Sequence, residues 1–142
     1  MPEEGDVLLS KVGTLGLVAR VVGDIEFSIF VQVALLKPNP DILHSEYLQY
    51  AMLSPMMQSQ IVRKSSTSTM KYIGVGKIGE LLLPLPAKDE QCGISIALRN
   101  IDEKFDVAQK RSKLLSLLFK SMLHQLMTGR IRVNNTEIPF DA

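Results

Sequence analysis

The sequence predicts an α+β fold: a small mixed α/β head followed by one long C-terminal helix that forms a coiled coil. Three observations predict it. The first third of the chain alternates in the manner of half-buried strands, and the apolar period then lengthens to that of helices at "DILHSEYLQYAML". After "LLLPLP" (81–86) the chain runs to Thr128 without a proline, and Gly93 is its only glycine. The expected divisions are a head at 1–87, a helix at 88–129 and a short tail at 130–142.

Within the head, "GDVLLSKVG" reads as a strand entering a turn at Gly13 to Gly16, and "LVARVV" (17–22) as its hairpin partner. Gly23-Asp24 turns the chain again, and "FSIFVQVALLKP" has the β-branched and aromatic density of a third strand. Asn39-Pro40 reads as an N-cap with proline at the first helical position, and Ser54-Pro55 repeats the device before "PMMQSQIVRK". A polar tract, 65–72, follows. "IGVGKIGELLLPLP" (73–86) then returns to short strands, with Gly74, Gly76 and Gly79 at turns or bulges.

The long helix has acids, Asp89 and Glu90, in its first turn and Gly129 placed to end it. Ile94, Leu98, Ile101, Phe105, Ala108, Ser112, Leu115, Phe119, Met122 and Leu126 recur at alternating steps of four and three, a heptad seam interrupted only by Ser112. About 40 residues of helix extend ~60 Å at ~1.5 Å per residue. A head of this size should be only ~30 Å across. That length disfavours a helix lying on its own sheet and favours dimerisation through the seam. Ala108 and Ser112 form a narrow waist, and antiparallel pairing there would set Phe105 opposite Leu115 and Ile101 opposite Phe119; parallel pairing stays open. Leu114, Leu117, Leu118 and Leu123 add apolar surface outside the seam.

Composition excludes several classes. The formal net charge is only +1, so the chain is no polycation gripping nucleic acid indiscriminately. A single cysteine, Cys92, rules out an internal disulfide and suits a reducing cytoplasm; no signal peptide is read at the N-terminus. The most apolar run, 27–36, is too short to span a bilayer. His44 and His124 have no ligands at metal spacing, and His44 reads as a solvated or capping residue. Cys92 reads as a buried structural thiol, and "GVGKIG" lacks the spacing of a phosphate-binding loop. Neither a catalytic constellation nor a metal site is expected.

Charge is distributed unevenly. From Tyr47 through Gly79 there is no acidic residue, whereas Arg63, Lys64, Lys71 and Lys77 are basic. Ser65, Ser66, Thr67, Ser68, Thr69 and Tyr72 stand among them as a supply of hydroxyls, and Lys11 and Arg20 flank the hairpin turn. Cations neutralise phosphates, and hydroxyls donate to phosphate or base edges. On charge alone, a solvated loop explains the tract equally well.

Three stretches together resemble the DNA-specificity subunit of type I restriction–modification systems. "GDVLLSKVGTLGLVARVV" (5–22) is similar to the central hairpin of that family's target-recognition domain. "TMKYIGVGKIGELLLPLPAKDEQ" (69–91) is similar to its closing strands and exit into the spacer helix. "ALRNIDEKF…KLLSLLFKSMLHQLMTGRIRV" (97–133) is similar to that helix and its closing Leu-Thr-Gly-Lys motif, here Met127-Thr128-Gly129-Arg130. The resemblance covers nearly the whole chain. It implies a non-enzymatic reader of double-stranded DNA that anchors methyltransferase subunits and, through them, restriction subunits; S-adenosylmethionine would belong to the methyltransferase and no cofactor to this chain. It implies DNA contacts from Lys11, Arg20, Arg63, Lys64, Ser66, Thr67, Thr69, Lys71 and Tyr72, and it makes the Gly13–Gly16 turn architectural. One head and one helix make half such a subunit, so a homodimer would restore two heads on a two-fold axis. Family recognition domains are longer than this head, which implies a truncated form with an incomplete DNA-reading surface. The competing expectation is a scaffold or decoy that pairs through the helix without reading DNA.

Overall fold

In the computed structural model, residues 1–24, 26–66 and 70–133 are described. Two compact units are present, Met1–Leu98 and Arg99–Ala142. The first contains three strands, β1 (Val7–Ser10), β2 (Val18–Arg20) and β3 (Val33–Leu36), and three helices, α1 (Ser45–Leu53), α2 (Pro55–Lys64) and α3 (Val75–Gly79). It also holds the first turns of α4 (Lys88–Met127), which continues through the second unit.

The sheet is antiparallel with order β2-β1-β3. Leu8 faces Ala19 across the hairpin and Leu35 on the other side. The alternation read from the sequence is real in β1, where Val7 and Leu9 are fully buried and Leu8 and Ser10 only partly so. These two residues meet Ala34 of β3, Leu48 and Met52 of α1, Met57 and Ile61 of α2, and Ile73 and Ile78 in one core. The α+β class and the hairpin agree with the sequence reading.

The joint between α1 and α2 is a single residue. Ser54 is extended, its Oγ accepts the Met57 N–H at 3.3 Å, and Pro55 follows at the first helical position. This N-cap lies where the sequence placed it.

Three expected elements need correction. Of the stretch 27–38, only Val33–Leu36 pairs as a strand. The first helix does not begin at Asn39-Pro40. Asn39 Oδ1 instead accepts the Asp41 N–H at 3.0 Å, and its carbonyl accepts from Ile42 and Leu43, closing one turn. His44 is the N-cap, without a side-chain cap bond. Its N–H, which an uninterrupted helix would send back to residue 40, goes to Gln91 Oε1 at 2.8 Å. A partner 47 residues away thus ends the first turn.

The third correction concerns 73–86. Val75–Gly79 is a short helix, and "LLLPLP" forms neither helix nor strand and has no strand partner among the described residues. Pro84 and Pro86 have no N–H to give a ladder. Side chains replace the ladder at every second residue. Gln60 bonds both backbone groups of Leu82, donating to its carbonyl and accepting its N–H, each at 2.9 Å. The Tyr47 hydroxyl donates to the Pro84 carbonyl at 2.9 Å, and Gln91 Nε2 donates to that of Pro86 at 2.9 Å. At the alternate positions, Leu81 and Leu83 pack on the core. The segment is a strap with a strand's period.

Helix α4 begins with Asp89 and Glu90 in its first turn. It ends where the sequence indicated: Gly129 has φ +68°, the Arg130 N–H bonds the Gln125 carbonyl at 3.0 Å and the Gly129 N–H that of Leu126 at 3.1 Å. This pair of bonds is a Schellman closure. Buried positions near its start are Gln91 and Ser95, not Cys92, which is only half-buried and free. From Arg99 to Met127 every residue except Gln125 is exposed, including Ile101, Phe105, Leu115 and Phe119 at 55–67%. Among the described residues, no helix is long and apolar enough to cross a membrane, and no group of three His, Cys, Asp or Glu could hold a metal ion.

Candidate nucleic-acid interface

The hairpin turn is built around Ser10. Its Oγ donates to the Thr14 carbonyl at 2.6 Å and accepts the Leu17 N–H at 2.8 Å, while its own carbonyl takes the Gly16 N–H at 3.1 Å. Gly13 and Gly16 have φ of +76° and +81°, which L side chains rarely adopt. Gly16 is constrained twice, since a Cβ there would run into Gln58 Oε1. Gln58 Nε2 donates to the Gly16 carbonyl at 2.9 Å and to Met52 at 2.8 Å, fixing the turn to α1 and α2. This geometry suits the architectural role implied for the turn.

The polar tract is fastened to that turn through the backbone. Val12 and Tyr72 form an antiparallel bridge; the Gly13 N–H bonds the Lys71 carbonyl and the Ile73 N–H bonds the Lys11 carbonyl, both at 2.9 Å. Ser66 closes the loop: its N–H donates to the Tyr72 carbonyl at 2.8 Å, and its Oγ accepts the Tyr72 N–H at 3.1 Å. Lys11, Ser66, Lys71 and Tyr72 are therefore brought together, although residues 11 and 71 are far apart in the chain. Lys71 and Tyr72 are exposed and Lys11 is partly so. Among the described residues, neither lysine has an acidic partner within ion-pair distance. Thr67 and Thr69, expected to touch DNA, lie outside the described residues.

The remaining basic candidates are more committed. Arg63 Nε donates to the Ser59 carbonyl at 3.3 Å, and Arg63 and Lys64 occupy the last turn of α2, where cations complement the negative end of the dipole. Lys64 Nζ lies 3.0 Å from Glu80 Oε2, and Lys77 Nζ lies 3.3 Å from the same oxygen. The Lys64 hydrogen bond, seconded by that of Lys77, holds the Glu80 carboxyl below the usual 4.5. Arg20 faces the buried Glu46 at 3.9 Å, with its Nε buried and unbonded among the described residues. Glu80, the first acid after the acid-free stretch, was not weighed in the sequence reading, yet it masks two of that stretch's cations.

This masking yields a prediction. Glu80→Gln should free Lys64 and Lys77 and steepen the salt dependence of DNA binding, by about 0.9 in log–log slope for each phosphate newly contacted. Fluorescence anisotropy of a labelled duplex across a salt series measures it; an unchanged slope would mean that neither lysine faces DNA. The ion pairs persist above the usual carboxylate pKa, and their contribution to stability is lost as pH falls through the lowered value.

The family model for the type I restriction modification DNA specificity domain matches residues 1–128. The chain belongs to that family. It is 28% identical over 132 residues to the type I restriction enzyme EcoBI specificity subunit of Escherichia coli, a match covering 93% of this chain and 25% of that protein. It is 24% identical over 93 residues to the MjaVIII specificity subunit of Methanocaldococcus jannaschii, covering 66% of this chain and 22% of that protein. The fold matches the crystal structure of the type I restriction–modification S subunit from M. genitalium with a TM-score of 0.66 at 19% identity, over 86% of this chain and 32% of that one. The chain thus spans about a quarter of the curated relatives' length and a third of the solved one's.

Proposed function

We propose that this chain acts as a DNA-specificity module, non-catalytic itself, whose head reads double-stranded DNA and whose α4 seam pairs with a second copy. Methyltransferase and restriction subunits would be its protein partners, and S-adenosylmethionine would be bound by the methyltransferase alone. The observation that carries the DNA-reading part is the fastening of the lysine- and hydroxyl-bearing loop to the hairpin turn. It gathers Lys11, Ser66, Lys71 and Tyr72 in a family defined by DNA specificity. Lys64, Arg63 and Arg20 would contribute less, because each already has a partner in the head.

The exposed seam supports the pairing. Leu98, Ile101, Phe105, Leu115, Phe119, Met122 and Leu126 are 37–67% exposed. Full burial of a large apolar side chain contributes about 1.5–3 kcal/mol. Covering these half-exposed side chains on two helices therefore gives roughly 10–20 kcal/mol, against an association cost of roughly 4–15 kcal/mol. The same seam favours the second reading, a scaffold or decoy that pairs without reading DNA.

Anisotropy of a fluorescein-labelled 30-bp duplex tests the DNA reading. Lys71→Ala should weaken binding and lower the salt slope by about 0.9, the signature of one lost phosphate contact. A variant with the wild-type slope would remove Lys71 from the interface, and a dimer that binds no duplex would make the scaffold reading the correct one.

A further inference from the structure

The sheet end that carries Lys11 also carries an apolar tip that the core does not use. The Val33 N–H bonds the Phe30 carbonyl at 3.0 Å, closing a turn with Val31 and Gln32 at its centre. The Gln32 carbonyl in turn accepts the Lys11 N–H at 2.8 Å. Lys11 is thus the backbone node of both loops, bonded to the 30–33 turn through its N–H and to the 66–73 loop through its carbonyl.

Burial alternates on the approach to the tip: Phe27 and Ile29 are partly buried, while Ser28 and Phe30 face out. Serine suits an outward position and phenylalanine does not. Phe30 is 80% exposed and Val31, at the apex, 82%. Single exposed apolar residues are ordinary. Two adjacent ones in a tight turn bonded to Lys11, which also holds the loop that carries Lys71, form a small wedge with a cationic border; among the described residues neither lysine has an acidic partner.

We infer that the Phe30–Val31 turn is a base-contacting wedge, which Lys11 and Lys71 hold against the duplex by binding flanking phosphates. The inference rests on the DNA reading proposed above and adds to it the residues that meet the bases. Cations at a border fix a protein on the phosphate backbone without selecting sequence. An apolar or aromatic side chain pushed against a base step makes the contact those cations cannot, by partly unstacking it or stacking on an opened base. No tryptophan exists in the chain, so F30W places a single indole at the tip, at a position exposed enough to accept it.

The test titrates F30W with an unlabelled 30-bp mixed-sequence duplex while anisotropy of the labelled duplex reports binding. The expected result is quenching of the indole with the same midpoint as the anisotropy change. F30A should bind roughly tenfold more weakly, within the range for one lost aromatic–base contact, with its salt slope unchanged because no phosphate contact is lost. Binding with no change in indole emission, or F30A binding like wild type, would overturn the wedge and leave the DNA reading standing. Emission that shifts with protein concentration in the absence of DNA would mean that a second copy covers the tip, which also overturns it. No binding to any duplex would remove the DNA reading and the wedge with it.

Discussion

Gln91→Leu should destabilise the head by on the order of 3–5 kcal/mol, a large part of the stability of a domain of about a hundred residues. Gln91 is 1% exposed. Its Oε1 accepts the His44 N–H, and its Nε2 donates to the Ile42 and Pro86 carbonyls at 3.0 and 2.9 Å. Leucine has nearly the same volume, so little cavity forms and the loss is polar. Three backbone groups lose their partner at part-buried positions, and each such group left unsatisfied costs up to about 1–3 kcal/mol. The consequence is local as well as global, because those groups join the entry to α1, the strap and the start of α4. Chemical denaturation followed by far-ultraviolet circular dichroism measures the effect. A loss below about 1 kcal/mol would mean that water or a shifted backbone takes over the three bonds.

This residue also shows where sequence reasoning stops. The β1–β2 hairpin, the Ser54-Pro55 joint and the Gly129 closure were legible because each depends on neighbours a few residues away: alternation, a hydroxyl N-cap, a glycine at positive φ. The start of α1 and the course of 81–86 were misread because distant side chains decide them. Asn39-Pro40 has the chemistry of a helix start, but Gln91 takes the His44 N–H. "LLLPLP" has the composition of a strand, but its prolines disqualify it from a ladder, and Gln60, Tyr47 and Gln91 hold it instead. The candidate interface was half legible for the same reason. Lys11, Ser66, Lys71 and Tyr72 were identifiable by type, and the Val12–Tyr72 bridge unites them. Pairing of Lys64 and Lys77 with Glu80 depends on where α3 ends.

The second large effect is expected at the seam. Ile101→Asp should abolish pairing of two chains and leave the head folded, since residue 101 is 63% exposed and contributes nothing to the head's core. In a paired seam the aspartate would be a charge facing apolar side chains, a burial that costs several kcal/mol unless the group takes up a proton. Phe119→Asp should act alike, because antiparallel pairing sets Phe119 opposite Ile101. Loss of the partner should also lower helicity, as a long helix without tertiary packing is only marginally stable in water. Sedimentation velocity and circular dichroism read the two effects. A variant still dimeric with wild-type helicity would place the interface elsewhere.

The central claim, that two copies pair through α4 to present two heads, is tested most directly by the solution mass of the unmodified chain, measured by light scattering over a concentration series. Pairing predicts a mass near twice the 15.8 kDa of one chain, falling only on dilution. A single species of 15.8 kDa at every concentration would contradict it, and the exposed seam would then await a different protein.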